Sequence, residues 1–163
     1  MKINYENVEQ VIKKLASENH TISFAESCTG GRLAAAFTSI SGASEVFDGS
    51  VVSYSNEIKQ AWLGVTKETL ESHGAVSSQC VEEMLKGIST LTETLKSDYA
   101  LAVSGIAGPT GGSEEKPIGT VYIGVKTPTS QEVFHCLFDG DRNSVQEQST
   151  AFAIRKLEEY LKI

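Results

Sequence analysis

Apolar positions along the chain change their spacing repeatedly, and each change marks a new element. Val8, Val11, Ile12 and Leu15 recur at three- and four-residue intervals, the signature of one buried helix face. Asn4 stands where an N-cap belongs, and Ile3 and Val8 are placed to form a hydrophobic staple across it. TISFAES then reads as a strand, with GRLAAAFTSI as a short helix behind it. VFDGSVVSYS is a second strand, followed by a helix over SNEIKQAWLG that Ser55 or Asn56 caps. After the turn at ESHGAV, Ser77 caps a longer helix with Val81, Met84, Leu85, Ile88 and Leu95 on its buried face.

DYALAVSG is a nearly unbroken apolar run ending in glycine, the pattern of a strand buried on both faces. IGTVYIGVK and EVFHCLF flank the turn-like TPTSQ and are expected to pair antiparallel. A helix from about Arg142 to Leu161 closes the chain. Helices interleaved with about five strands predict an α/β fold: a three-layer α/β/α sandwich around a five-stranded mixed, mostly parallel sheet. No repeat, low-complexity tract or linker divides the sequence, so residues 1–163 are expected to form a single domain.

The formal charge of −7 argues against nucleic acid as a partner, because phosphate backbones are bound by a surplus of Lys and Arg. Backbone N–H groups can still hold one small anion, so a nucleotide-sized ligand stays open. No apolar run approaches the ~18 residues of a membrane span, and the N-terminus has no apolar signal core. No membrane partner and a cytoplasmic location are therefore expected. Cys28, Cys80 and Cys136 are widely spaced and without a C-x-x-C pair, which suits reduced thiols and predicts no metal site.

In sheets of this class, ligands collect beyond the carboxyl ends of the strands. ESCTGG, YSNEIK, SGIAGPTGGSEEKPIG and FDGDR all fall there. ESCTGG aligns Ser27, Cys28 and Thr29 where a strand hands over to a helix, a position that suits an anion or a developing oxyanion. Gly30 and Gly31 would let the backbone approach a ligand closely. The plain alternative is a capped turn with Ser27 or Thr29 as N-cap. In SGIAGPTGG, Ser104 and Gly105 end a strand, while Gly108, Gly111 and Gly112 permit an anion-binding nest. Neither the Walker spacing nor G-x-G-x-x-G is present, so an ordinary ATP or NAD site is not supported. SEEK, residues 113–116, matches S-x-x-K by chance in a polar loop.

A serine nucleophile needs a base, and His20, His73 and His135 all read as surface or packing residues. Lys59 is the substitute. It falls in the first turn of its helix, where the local field disfavours a cation and favours the neutral amine. Arg142 also begins a helix, a poor place for a bland surface charge but a sensible one for a carboxylate or phosphate contact.

Taken in order, AESCTGG, VVSYSNEIK, HGAVS, SGIAGPTGG, KPIGTVYIG and DGDR resemble the C-terminal domain of the CinA family, the nicotinamide-nucleotide amidases. The resemblance covers about residues 5 to 160. It implies an α/β/α fold and hydrolysis of nicotinamide mononucleotide to nicotinic acid mononucleotide and ammonia, with no metal or organic cofactor. It also implies Ser27 as nucleophile and Lys59 as its activator, with Thr29, Tyr54, the SGIAGPTGG loop and Arg142 around the substrate. The large N-terminal domain often fused ahead of this module is not in the sequence. The chain is expected to act as a stand-alone amidase, as a homodimer, and no competence role is carried over.

Two rival readings differ in class. A binding module could keep the fold and lose the chemistry, but Ser27 and Lys59 are both present. A thiol amidase would use Cys28, intrinsically the better nucleophile. Successive strand residues point to opposite faces, so if Ser27 faces the ligand, Cys28 faces the core.

Overall fold

A computed structural model describes all residues, Met1–Ile163. Five strands form one sheet: β1 (Ile22–Glu26), β2 (Phe47–Val52), β3 (Tyr99–Gly105), β4 (Thr120–Lys126) and β5 (Gln131–Leu137), in spatial order β2-β1-β3-β4-β5. β1 pairs parallel with β2 and β3, β4 runs antiparallel to β3, and β5 is antiparallel to β4. Only β4 therefore opposes the other strands, and the sheet is mixed and mostly parallel. β1 is buried throughout and β3 nearly so, as expected of central strands covered on both faces.

Six helices cover the two faces: α1 (Tyr5–Ser17), α2 (Arg32–Thr38), α3 (Asn56–Leu63), α4 (Lys67–His73), α5 (Ser78–Ser89) and α6 (Arg142–Leu161). On one face α1, α2 and α6 pack with Phe24, Phe37, Val103, Ile123 and Leu157 into the larger core. On the other, α3 and α5 enclose Ala25, Leu63, Met84, Leu85 and Ala102. The three-layer α/β/α sandwich follows, with helices on both faces of the sheet.

Local chemistry explains the element starts. The Asn4 side chain accepts from Glu6 N–H at 3.0 Å, and Val8, Val11, Ile12 and Leu15 form the buried face of α1. Ser55 accepts from Ile58 N–H to cap α3, and Ser77 does the same for α5 through Cys80 N–H. Two expectations fail. α4, over the sequence KETLESH, is a helix where the pattern assigns nothing to residues 67–70 and a turn to 71–73; it buries no residue, so it carries no apolar stripe to read. α5 ends at Ser89, and Leu95, which fits the period, lies outside it and is 50% exposed. The Thr92 hydroxyl takes the Leu95 N–H at 2.8 Å, a local bond that competes with helix continuation.

Because β1, β2, β3 and β5 share one direction, their carboxyl ends lie on one edge of the sheet. The segments following β1, β2 and β5 carry Ser27, Tyr54 and Arg142, and Gly105 ends β3 on the same edge. No helix is long and apolar enough to cross a membrane.

Candidate active site

Strand alternation sorts the residues of the first motif. Ser23 and Ala25 face α5, with the Ser23 hydroxyl donating to Ile88 O and Ala25 in the smaller core. Phe24 faces the larger core, and Glu26 reaches α2. Continuing the pattern, Ser27 turns toward α3 and Cys28 toward the larger core.

Lys59 meets Ser27 there. Its Nζ donates to Ser27 Oγ at 2.9 Å, to Ser53 O at 2.7 Å and to Tyr54 O at 3.2 Å. The lysine side chain is 1% exposed and Ser27 is 6% exposed. Three acceptors match the three N–H bonds of an ammonium. When one proton leaves, the two carbonyls hold the remaining N–H bonds and the lone pair is free for the Ser27 hydroxyl. Burial holds the lysine below the usual ammonium range, because desolvation penalises the charged form. Burial is the one influence lowering it.

Cys28 is buried, and burial raises its thiol to about 12, so at neutral pH it is protonated and packed. Burial pushes Cys80 and Cys136 up to about 11 in the same way.

The capping expectation for α2 is corrected. Neither Ser27 nor Thr29 caps it: the N-cap is Gly31, in the left-handed region at φ 98°, without a side-chain bond to the helix. The cap comes from Glu26, whose carboxylate accepts from Leu33 N–H at 2.9 Å and Ala34 N–H at 3.2 Å. It also accepts the Thr29 hydroxyl at 2.9 Å and the Ser50 hydroxyl at 2.7 Å. Glu26 is wholly buried. Sequence reasoning missed it, because a carboxylate at a strand end ordinarily reads as solvated. Ser53 and Gln146 were missed as well. The Ser53 carbonyl holds Lys59, and Gln146 Nε2 donates to Cys28 O at 2.9 Å from α6.

Around this centre, Arg142 links three segments. Its guanidinium donates to Gly108 O and to the Tyr54 hydroxyl, both at 2.7 Å. It forms no ion pair, and Tyr54 is 59% exposed. An exposed cation held only by neutral acceptors can exchange them for an anion. At the end of β3, ahead of the glycine-rich loop, the Ser104 hydroxyl donates to Ala75 O at 2.8 Å. A Cβ at Gly105 would stand 2.6 Å from Val121 Cγ2, so close contact with β4 demands glycine there. Lys116 donates to His73 O at 2.6 Å, tying the loop to the end of α4. His73 and His135 are exposed, and His20 packs against Tyr99 away from Ser27.

The family model for the CinA C-terminal domain matches residues 4–161. A CinA-like protein of Thermotoga neapolitana is 46% identical over 161 residues, covering 98% of this chain and 38% of that relative. A putative competence-damage inducible protein of Thermoanaerobacter pseudethanolicus is 44% identical over 160 residues, with the same coverage of 98% and 38%. The chain thus spans well under half the length of these curated relatives. Among solved structures, a CinA superfamily protein from Klebsiella pneumoniae is similar with a TM-score of 0.90, at 39% identity and 97% coverage of both chains. One from Enterobacter cloacae gives 0.92 at 31% identity, covering 99% of this chain and 94% of its own.

Proposed function

The chain belongs to the CinA C-terminal domain family, and from that premise we propose that it is an amidohydrolase. Its substrate is nicotinamide mononucleotide, which it converts to nicotinic acid mononucleotide and ammonia. The observation carrying this reading is the buried contact of Lys59 Nζ with Ser27 Oγ at 2.9 Å, at the carboxyl edge of the sheet.

Neutral Lys59 takes the Ser27 proton as Oγ bonds to the carboxamide carbon. The carbonyl oxygen becomes an oxyanion, which needs preorganised donors. The N–H groups of Cys28, Thr29 and Gly31 have no hydrogen-bond acceptor on another residue, and those of Cys28 and Thr29, next to Ser27, would serve. Collapse of the tetrahedral intermediate breaks the C–N bond, and Lys59 returns its proton to the leaving ammonia. Water then attacks the Ser27 ester, gives a proton to Lys59, and frees the carboxylate product. Serine regains its proton, so no further reactant is consumed. Arg142 would take the 5′-phosphate in exchange for its neutral acceptors, supported by Tyr54 and the loop from Gly105 to Gly112.

Ammonia release from nicotinamide mononucleotide tests the reading directly. Ser27→Ala is expected to lower kcat by about 10³ or more while the thermal melt stays near that of wild type. A wild-type protein releasing no ammonia, or a Ser27→Ala variant of undiminished turnover, would reject it.

A further inference from the structure

Every N–H of the first turn of α2 already has a partner inside the protein. Arg32 donates to Thr29 O at 3.1 Å, Leu33 and Ala34 to the Glu26 carboxylate, and Ala35 to Gly31 O at 2.9 Å. The place where a substrate anion was expected is filled by the protein's own carboxylate. The carboxylate also grips the turn from within, because the Thr29 hydroxyl, two residues beyond Ser27, donates to Glu26 Oε1. Its other oxygen takes the Ser50 hydroxyl from β2. One wholly buried group thus joins the strand before the nucleophile, the turn that carries it, the helix after it and the neighbouring strand.

We infer that Glu26 is the positioning residue of the nucleophile turn, fixing Ser27 Oγ against Lys59, and that the N-terminus of α2 binds no substrate group. The inference rests on the Ser27 chemistry proposed above. The Thr29 side chain then acts through Glu26 and not as a substrate contact, which changes the role expected for it from the motif. Glu26 hydrogen-bonds to neither the Ser27 nor the Lys59 side chain, so its effect passes through the backbone of the turn. A carboxylate accepts all four donors at once. A glutamine amide replaces one acceptor oxygen with an NH₂ that faces the Ala34 N–H or the Leu33 N–H.

The test uses three variants of the whole chain, Glu26→Gln, Thr29→Val and Thr29→Ser, with circular dichroism to fix the folded fraction. Two rates are measured per folded molecule: ammonia release, and labelling of Ser27 by a fluorophosphonate followed by intact mass. Glu26→Gln and Thr29→Val are expected to lose kcat by up to about 10²-fold, with KM nearly unchanged, because a small displacement of a reacting atom has that effect. Labelling should slow in parallel. Thr29→Ser keeps the hydroxyl and should restore both rates, which a purely structural role would not require. If Glu26→Gln yields no folded protein, the Thr29 pair decides. Wild-type rates in Glu26→Gln, or in Thr29→Val, overturn the inference. A wild type that takes the label but releases no ammonia rejects only the substrate reading, and the labelling rates still decide the role of Glu26. A wild type that takes no label overturns both.

Discussion

The turn after β1 and the loop after β3 follow neighbouring buried strands, are both rich in glycine, and end at the same edge of the sheet. They are built differently. The turn, residues 27–31, is fixed by buried polar groups: the four-fold Glu26 cap, the Gln146 bond to Cys28 O and the Lys59 bond to Ser27. The loop, residues 106–119, folds on itself. A Cβ at Gly108 would lie 2.6 Å from Ile118 Cγ2, and one at Gly112 would lie 2.8 Å from Ile118 N. Two of its outward ties are made by cations, Arg142 to Gly108 O and Lys116 to His73 O, and both end on neutral carbonyls. Reacting atoms need placement that does not yield, so their support is buried. A segment that receives a ligand works with bonds that can be exchanged.

The largest effect should come from the rigid side of that comparison. Lys59→Arg keeps the charge and much of the reach, but arginine does not deprotonate in proteins. Loss of general-base catalysis is expected to lower kcat by about 10²–10⁴-fold, as far as Lys59→Ala does. The sign of the pH dependence is fixed by the lowered lysine. In the proposed mechanism the neutral amine is the active form, so the wild-type rate is expected to rise with pH through that ionisation, and the rise to disappear in both variants. Stability should follow the same window. The cost of burying the ammonium is fully present below the folded-state value and is relieved as pH climbs toward the unfolded value of about 10.4. An arginine variant with half the wild-type kcat would show that charge alone matters.

Next in size is the exchangeable side. Arg142→Ala should raise KM for the nucleotide about tenfold or more, since a charge-assisted bond contributes roughly 1.5–3 kcal/mol. The riboside, which lacks the 5′-phosphate, should already be a poor substrate and should respond little to the variant. Equal kcat/KM for nucleotide and riboside in the wild type would remove the phosphate from the account. In the same loop, Gly112→Ala forces a methyl group against the Ile118 backbone and is expected to cost about 1–3 kcal/mol of stability. A thermal melt unmoved by that change would mean that the loop yields freely, and the contrast with the turn would then be sharper still.

Much of the frame was legible because burial imposes periods. The buried stripe of α1, the continuous apolar run of β3 and the β4–β5 hairpin appear in the structure where the pattern put them. The junction of Ser27 with Lys59 was suggested by residue type and by family likeness, since nothing in the spacing places residues 32 apart in contact. Glu26 stayed hidden because a carboxylate at a strand end ordinarily reads as solvated. Its role appears only when α2 folds back over it. α4 and the early end of α5 were unreadable for the opposite reason: exposed or hydroxyl-rich segments carry no period.

The smallest effect separates two adjacent residues of the turn. Cys28 and Ser27 differ in direction by one step of strand alternation, and in environment by everything that follows from it. The thiol, held near 12 by burial, has almost no thiolate at pH 7 and lies among the side chains of the larger core. Cys28→Ala removes one buried sulfur and should cost about 1 kcal/mol of stability. Its carbonyl, which Gln146 holds, belongs to the backbone and is kept. Ammonia release should therefore stay near the wild-type rate, and a thiol-reactive disulfide reagent at neutral pH should neither label the native protein nor inhibit it. If Cys28→Ala were the inactive variant and Ser27→Ala the active one, the nucleophile would be the thiol, and the buried serine–lysine contact would be a packing arrangement only.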